Sequence, residues 1–231
     1  MSMGPLWCVV PAAGRGTRVG GDIPKQYLPL AGQPLILHTL ERLAAHPMIA
    51  GLMVVLGGKD EHWPAVTQLG GKPVLTTIGG SERCDSVLAG LRALPADVTD
   101  GAFVLVHDAA RPCVREADIS RLIEQGIPAG GGLLGAPLRD TLKRAGGDGR
   151  SHETEPRDHR WRAFTPQMFR RGELSAALLA ASVAGITVSD EAMAMERAGF
   201  APLLVEGAED NIKVTTATDF ALAEFLLPRT K

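Results

Sequence analysis

A chain of 231 residues is long enough to form one large domain with a substantial buried core. Its 45% hydrophobic and 22% charged content is ordinary for a soluble globular protein, and a net charge of −2 argues against general nucleic-acid binding, which needs a strong basic excess. Cys8, Cys84 and Cys113 are odd in number and widely spaced, which indicates neither a zinc site nor a disulfide framework, and no apolar run nears the ~18 residues of a membrane span.

The first predicted strand, over 6–10, is apolar and contains Cys8 as a small buried residue. A glycine-rich loop follows: Pro11-Ala12-Ala13-Gly14-Arg15-Gly16-Thr17-Arg18, and then Pro24-Lys25-Gln26-Tyr27. Glycine lets backbone N–H groups approach a phosphate, and Arg18 and Lys25 can neutralise charge that builds at a reacting phosphorus. This pattern points to a nucleoside triphosphate and to transfer at phosphorus. It is not a Walker loop, because Gly16 leads to Gly21-Asp22-Ile23 with no Lys-Ser/Thr in place. Nor is it a dinucleotide fingerprint: Gly14-x-Gly16 runs into Val19, and the next strand ends in Gly57-Gly58-Lys59 without a ribose-binding acid.

Further strands are predicted over 52–56, 73–77 and 102–106, with helices over 34–45 and 86–94; Leu35, Leu37, Leu40 and Leu43 form the core stripe of the first helix. Such alternation implies an α/β fold, a mostly parallel sheet with helices on both faces, whose ligands bind beyond the carboxyl ends of the strands. In Gly79-Gly80-Ser81-Glu82-Arg83-Cys84-Asp85-Ser86, Ser81 is a candidate helix cap, with Glu82 or Asp85 suited to the first turns; the other reading is a wall of a base pocket in which Ser86 meets a pyrimidine edge. In His107-Asp108-Ala109-Ala110-Arg111-Pro112 the acid and base either pair across a turn, or Asp108 holds Mg²⁺ or a substrate hydroxyl while Arg111 organises the site.

A strand over 130–137 precedes a polar, Gly- and Arg-rich segment over 138–162 with a turn at Gly146-Gly147-Asp148-Gly149; it reads as a projecting hairpin or arm, a common place for subunit contacts. Helices over 171–181 and 190–198, the first residue preceded by Ser189 as a candidate cap, a strand over 202–205, the loop Glu209-Asp210-Asn211-Ile212-Lys213-Val214-Thr215 and a helix over 217–227 complete the chain. No repeat or linker divides it, so one domain over 1–231 is expected. His38, His46 and His62 show no ligand spacing. The first strand leaves no room for a signal peptide, so the cytoplasm is the expected location, and the last helix leaves none for a fused domain.

Together these segments resemble the 2-C-methyl-D-erythritol 4-phosphate cytidylyltransferases of the non-mevalonate isoprenoid pathway. The matching stretches are PAAGRGTR at 11–18, PKQYL at 24–28, DSVLAGL at 85–91, VLVHDAARP at 104–112, TPQ at 165–167, DEA at 190–192 and DNIKVT at 210–215. The resemblance implies a Rossmann-like nucleotidyltransferase fold and a homodimer whose arms complete the partner's site. It implies in-line attack by the acceptor phosphate on the α-phosphorus of CTP, with Mg²⁺ or another divalent cation bridging the triphosphate oxygens and pyrophosphate leaving. Arg18 and Lys25 match the transition-state pair. Pro11, Ala12, Ala13, Gly14, Gly16, Thr17, Gly80, Ser81, Ser86 and Asp108 match the CTP-binding positions. Arg111, Thr141, Thr165 and Ser189, with Asp108, match the acceptor pocket, and Arg157 and Lys213 match the cations that hold the acceptor phosphate. Arg160 and Arg162 are alternatives to Arg157. Ser81 replaces an acid often found beside the base, and Ser189 a threonine. Other readings are a cytidylyltransferase for another polyol phosphate such as ribitol 5-phosphate, a nucleotide-binding module without turnover, and, weakened by the missing fingerprint, a nicotinamide dehydrogenase.

Overall fold

The computed structural model describes residues 6–14 and 23–229. The central strand, β1 (Leu6–Pro11), alternates its side chains between two cores: Leu6, Cys8 and Val10 enter one, Trp7 and Val9 the other. This two-residue period makes a sheet buried on both faces, and explains why the strand reads as an unbroken apolar run.

After β1, a tight ribbon of β2 (Pro29–Leu30) and β3 (Gln33–Pro34) turns through Ala31 and Gly32, at φ 47° and 91°, and enters α1 (Leu35–Ala45). The α1 stripe of Leu35, Ile36, Thr39, Leu40, Leu43 and Ala44 is buried at helical spacing. Then come β4 (Ile49–Leu56), β5 (Gln68–Leu69), β6 (Lys72–Ile78), α2 (Arg83–Arg92), β7 (Phe103–Val106), α3 (Glu116–Ala129) and β8 (Gly131–Pro137). The arm follows as the antiparallel pair β9 (Leu142–Ala145) and β10 (Ser151–Glu155). The chain returns through β11 (Trp161–Arg170), α4 (Arg171–Val183), α5 (Glu191–Arg197), β12 (Leu203–Glu206) and α6 (Ala217–Leu226).

The main sheet has the order β12-β8-β11-β7-β1-β4-β6-β5. β1 lies parallel to both β4 and β7, with Val10 opposite Val54 and Cys8 opposite Leu105. The expected mostly parallel sheet is present, with one internal exception: β11 runs antiparallel between β7 and β8. Its polar Arg162, Gln167 and Arg170 and its Pro166 hide the strand from a hydrophobicity reading, and the sequence assigns its first residues to the arm. Also not anticipated are the two-residue strands β2, β3 and β5 and the helix α3. In α3, Ile119, Leu122 and Ile123 are buried at helical spacing, but Gly126 and Pro128 near its end break the pattern.

Helices α1 and α3 cover one face, and α2, α4 and α5 the other. Close approach of α2 depends on Gly90: a Cβ there would stand 2.5 Å from Val9 Cγ1 and 2.7 Å from Val55 Cγ2. That approach sets the start of α2 beside the carboxyl end of β1. A third apolar cluster, Leu30, Leu35, Ala110, Cys113, Val214, Ala223 and Leu227, ties α6 and its preceding loop to the same end of the sheet. Among the described residues no helix is long and apolar enough to cross a membrane.

Candidate active site

A cleft of about 250 Å³ opens beyond the carboxyl ends of β1 and β7. Four separate loops line it: Pro11, Ala12, Ala13 and Gly14; Gly80 to Arg83, with Ser86; Asp108, Ala109 and Ala110; and Lys213 with Thr215. Lys25 and Gln26 complete the lining. Lys25, Arg83 and Lys213 outnumber the lining carboxylates Glu82 and Asp108, so the cleft suits an anion.

Of the residues expected to bind CTP, the structure brings Pro11, Ala12, Ala13, Gly14, Gly80, Ser81, Ser86 and Asp108 into this cleft. Gly16, Thr17 and Arg18 lie outside the described residues. The loop after β1 is held from inside: the Ala12 N–H donates to Val55 O at 2.8 Å, and Gln26 Nε2 donates to Ala12 O at 2.7 Å and Gly14 O at 3.0 Å. Gln26 is only 4% exposed, so its amide has no competing water. Gly80 has a steric reason to be glycine, because a Cβ would fall 2.4 Å from Asp85 Cβ. Ser81 does not cap α2. Glu82 takes the cap position and its N–H donates to Asp85 Oδ2 at 3.3 Å, while the Ser81 hydroxyl meets the same oxygen at 3.2 Å. The helix start is closed by the Glu82–Asp85 capping box, and Ser81 lies one residue before it.

Lys25 and Lys213 come to one wall from nearly opposite ends of the chain. Lys25 Nζ donates to Val214 O at 2.8 Å, and Lys213 Nζ pairs with Asp108 Oδ2 at 2.8 Å. Asp108 also receives Arg83 Nε on Oδ1 at 3.0 Å and faces Arg111 Nε at 3.6 Å. Burial works against its charge, but Arg83, Lys213 and Arg111 outweigh burial and hold the carboxyl well below the usual range. Of the two readings of the Asp108–Arg111 pair, the structure shows the ion pair. An oxygen set already shared by three cations does not fit a direct metal ligand. Among the described residues no group of three or more His, Cys, Asp and Glu could hold a metal ion.

Behind Asp108 lies a buried polar frame. His107 Nε2 faces Arg111 O at 3.1 Å, which only a ring N–H can satisfy, so Nδ1 is the acceptor and takes the Thr165 hydroxyl proton at 3.0 Å. Thr165 Oγ1 in turn accepts the Asp108 N–H at 3.0 Å. Burial holds His107 neutral, its pKa lowered to about 4. Thr165 and Arg111 therefore stand behind the cleft rather than on its surface. Arg111 Nη1 donates to Asn211 O at 2.7 Å, and its guanidinium lies 5.2 Å above Phe164.

Three expected acceptor residues are not in the cleft of this single chain. Thr141 is exposed at the foot of the arm, just before β9. Arg157 is exposed beyond β10 and donates through Nη1 to Arg139 O. Its alternatives differ: Arg160 is exposed between β10 and β11, while Arg162 pairs with Glu209, which also takes Arg139 Nε at 2.8 Å. Ser189 is exposed, and Asp190 rather than Ser189 caps α5, accepting Met193 N at 2.9 Å.

Sequence reading missed Gln26, Glu82, Arg83, Thr215 and Glu191. The signal for Arg83 and Glu191 was split between two motifs: Glu191 is completely buried, and its carboxylate meets Arg83 Nη1 at 2.6 Å and Nη2 at 3.1 Å, 108 residues away in sequence.

A doubly covered, mostly parallel sheet with a cationic, glycine-lined cleft at its carboxyl end defines a Rossmann-like nucleotidyltransferase. The family model of IspD, 2-C-methyl-D-erythritol 4-phosphate cytidylyltransferase, matches residues 6–229, and the chain belongs to that family. It is 60% identical over 225 residues to the enzyme of that name from Stenotrophomonas maltophilia (strain K279a), covering 97% of each chain. It is 59% identical over 226 residues to that from Xanthomonas euvesicatoria pv. vesicatoria (strain 85-10), covering 97% of this chain and 85% of the relative. The crystal structure of the Francisella tularensis enzyme superposes with a TM-score of 0.82 at 31% identity, over 96% of this chain and 99% of that one.

Proposed function

We propose that this enzyme transfers the cytidylyl group of CTP to 2-C-methyl-D-erythritol 4-phosphate, giving 4-diphosphocytidyl-2-C-methyl-D-erythritol and pyrophosphate. The observation that carries the reading is the meeting of Lys25 and Lys213 in one glycine-walled cleft, Lys25 held by Val214 O and Lys213 by Asp108. The cytosine lies against Ala12, Ala13, Gly80 and Ser86, where a tight backbone wall suits a pyrimidine and is too small for a purine. Pro11, Gly14 and Ser81 line the rest of the CTP site, and the resemblance adds Gly16 and Thr17 to the residues that bind CTP. Lys25 stabilises the negative charge that develops at the α-phosphorus, and Arg18 joins it from the glycine-rich loop. Lys213 holds the acceptor phosphate for attack, in a pocket organised by Asp108 and, behind it, Arg111 and Thr165.

An acceptor phosphate oxygen forms the new bond to the α-phosphorus as the bond to the bridging β-phosphate oxygen breaks, and pyrophosphate leaves. No enzyme nucleophile is needed, since the acceptor is already a dianion, and positioning does most of the work. A divalent cation such as Mg²⁺ would enter with CTP and offset the charge of its triphosphate, since Asp108 is already shared by Arg83, Arg111 and Lys213. Arg157 and Thr141 are exposed on the arm, outside the cleft of their own chain, and they would serve a partner's acceptor in a homodimer formed through the arm. The proposed location is the cytoplasm.

Pyrophosphate release from CTP and Mg²⁺, measured with methylerythritol phosphate beside ribitol 5-phosphate, tests the reading. Release with the first alone is the expected result. Release with ribitol phosphate alone overturns the acceptor assignment, and release with neither overturns the catalytic one.

A further inference from the structure

Glu191 stands at the start of α5 with a fully buried side chain whose hydrogen-bond partner, among the described residues, is Arg83. The helix does not need it as a cap, since Asp190 fills that role. Burial pushes its carboxyl pKa up while Arg83 pulls against that shift, so the pair is an expensive way to fill the core. Its geometry has a use. The guanidinium is planar, and Glu191 takes its two terminal nitrogens, Nη1 and Nη2, on separate carboxylate oxygens. Nε is then left to meet a single oxygen of Asp108, Oδ1 at 3.0 Å, and Asp108 Oδ2 stays available to Lys213 at 2.8 Å.

We propose that Glu191 is a positioning residue for Lys213, acting through the orientation of Arg83 and the single-oxygen contact that Arg83 makes with Asp108. This rests on the reading of Lys213 as the cation for the acceptor phosphate. Freed from Glu191, Arg83 would turn its Nε/Nη2 edge onto both oxygens of Asp108, the paired geometry that arginine and carboxylate prefer. Lys213 would then lose its anchor on Oδ2. Glu191 itself touches no substrate. Arg83 lines the cleft wall with its side chain 24% exposed, so it is not locked in the core as Glu191 is.

The test is steady-state kinetics of Glu191→Gln, Arg83→Lys and the double variant beside the wild-type chain, varying CTP and methylerythritol phosphate separately. Glu191→Gln keeps the shape and removes the charge. It is expected to raise KM for the acceptor about tenfold, the loss of roughly one charge-assisted hydrogen bond, with KM for CTP within about twofold. In the Arg83→Lys background the same substitution should add less than about twofold, because lysine has no fork to orient. An unchanged acceptor KM, equal rises in both KM values, or full additivity would each overturn the proposal. If Glu191→Gln does not fold, Glu191→Asp replaces it: the shortened carboxylate should show the same split between substrates, and an even loss overturns the inference. Wild-type turnover separates the two levels. An active wild type with insensitive variants refutes Glu191 alone, while a wild type that turns over neither methylerythritol phosphate nor ribitol phosphate refutes the functional reading and this inference with it.

Discussion

Two regions of this molecule hold arginine–carboxylate pairs in contrasting surroundings. At the cleft, Asp108 and Glu191 have side chains 10% and 0% exposed and share Arg83, Arg111 and Lys213. On the arm, Arg144 pairs with Glu153 and Glu155, but Arg144 is 60% exposed and Glu153 51%. In the cleft low dielectric strengthens each pair and makes each missing partner costly; on the arm water and salt weaken the same chemistry. The cleft pairs therefore hold their side chains in place, whereas the arm pairs leave a polar ribbon open to water.

The sharpest way to test the cleft half of this contrast is to remove a cation that lines the cleft. Lys25→Ala should lower kcat by about 10²–10³-fold, the usual loss when one preorganised charge is taken from a transition state. Binding of CTP, followed by calorimetry, should fall far less. A loss confined to CTP affinity would make Lys25 a binding residue and the cleft a nucleotide-binding module.

Stability should show the same contrast. Asp108→Asn leaves three cations around a neutral amide, and breaking a buried network of this kind costs about 3 kcal/mol. For a chain of this size that is a fall in Tm of roughly 6–12 °C. A shift of less than a degree would mean that solvent reaches Asp108 and that its burial in the cleft does not count.

Behind Asp108, His107 makes the network sensitive to acid. Its folded pKa is lowered to about 4, against an ordinary value of 6.5. Between these values the unfolded chain binds a proton that the folded chain refuses, so stability is present above about pH 6.5 and is lost as pH falls toward 4. Linkage puts the loss from pH 7 to pH 5 at about 2 kcal/mol. Glu191 acts in the opposite sense, because a raised carboxyl takes up its proton earlier in the folded state. Urea unfolding of wild type and His107→Gln at both pH values separates the two, and the variant should have lost most of the acid-side slope. Equal slopes would assign the sensitivity elsewhere.

These regions were unequally legible in the sequence. Strands β1, β4 and β7 are apolar runs because both faces of the sheet are covered, and that pattern needs no partner to be recognised. The loops that end β1 and β7 announce themselves through glycine, Lys25 and Asp108, and the loop after β12 through Lys213. β11 was not legible, because its buried Gln167 is satisfied by Phe164, Asp190 and Ala192, contacts that exist only after folding. The Arg83–Glu191 fork was hidden for the same reason: each residue alone reads as an ordinary charge near a helix start. The arm was recognised by its lack of core pattern, and for that reason its arginines could not be told apart.

The smallest effect is expected on the arm. Arg144→Ala removes the pairs with Glu153 and Glu155, but both partners gain water in return and the hairpin retains its backbone ladder. The change should be less than about 1 kcal/mol, and smaller still in 0.5 M salt, where screening has already weakened the wild-type pair. Thermal melts of both proteins at low and high salt check this. A loss as large as that of Asp108→Asn, and insensitive to salt, would mean that Arg144 is covered in solution. The arm would then be part of a packed interface between subunits, and its ion pairs would belong with those of the cleft.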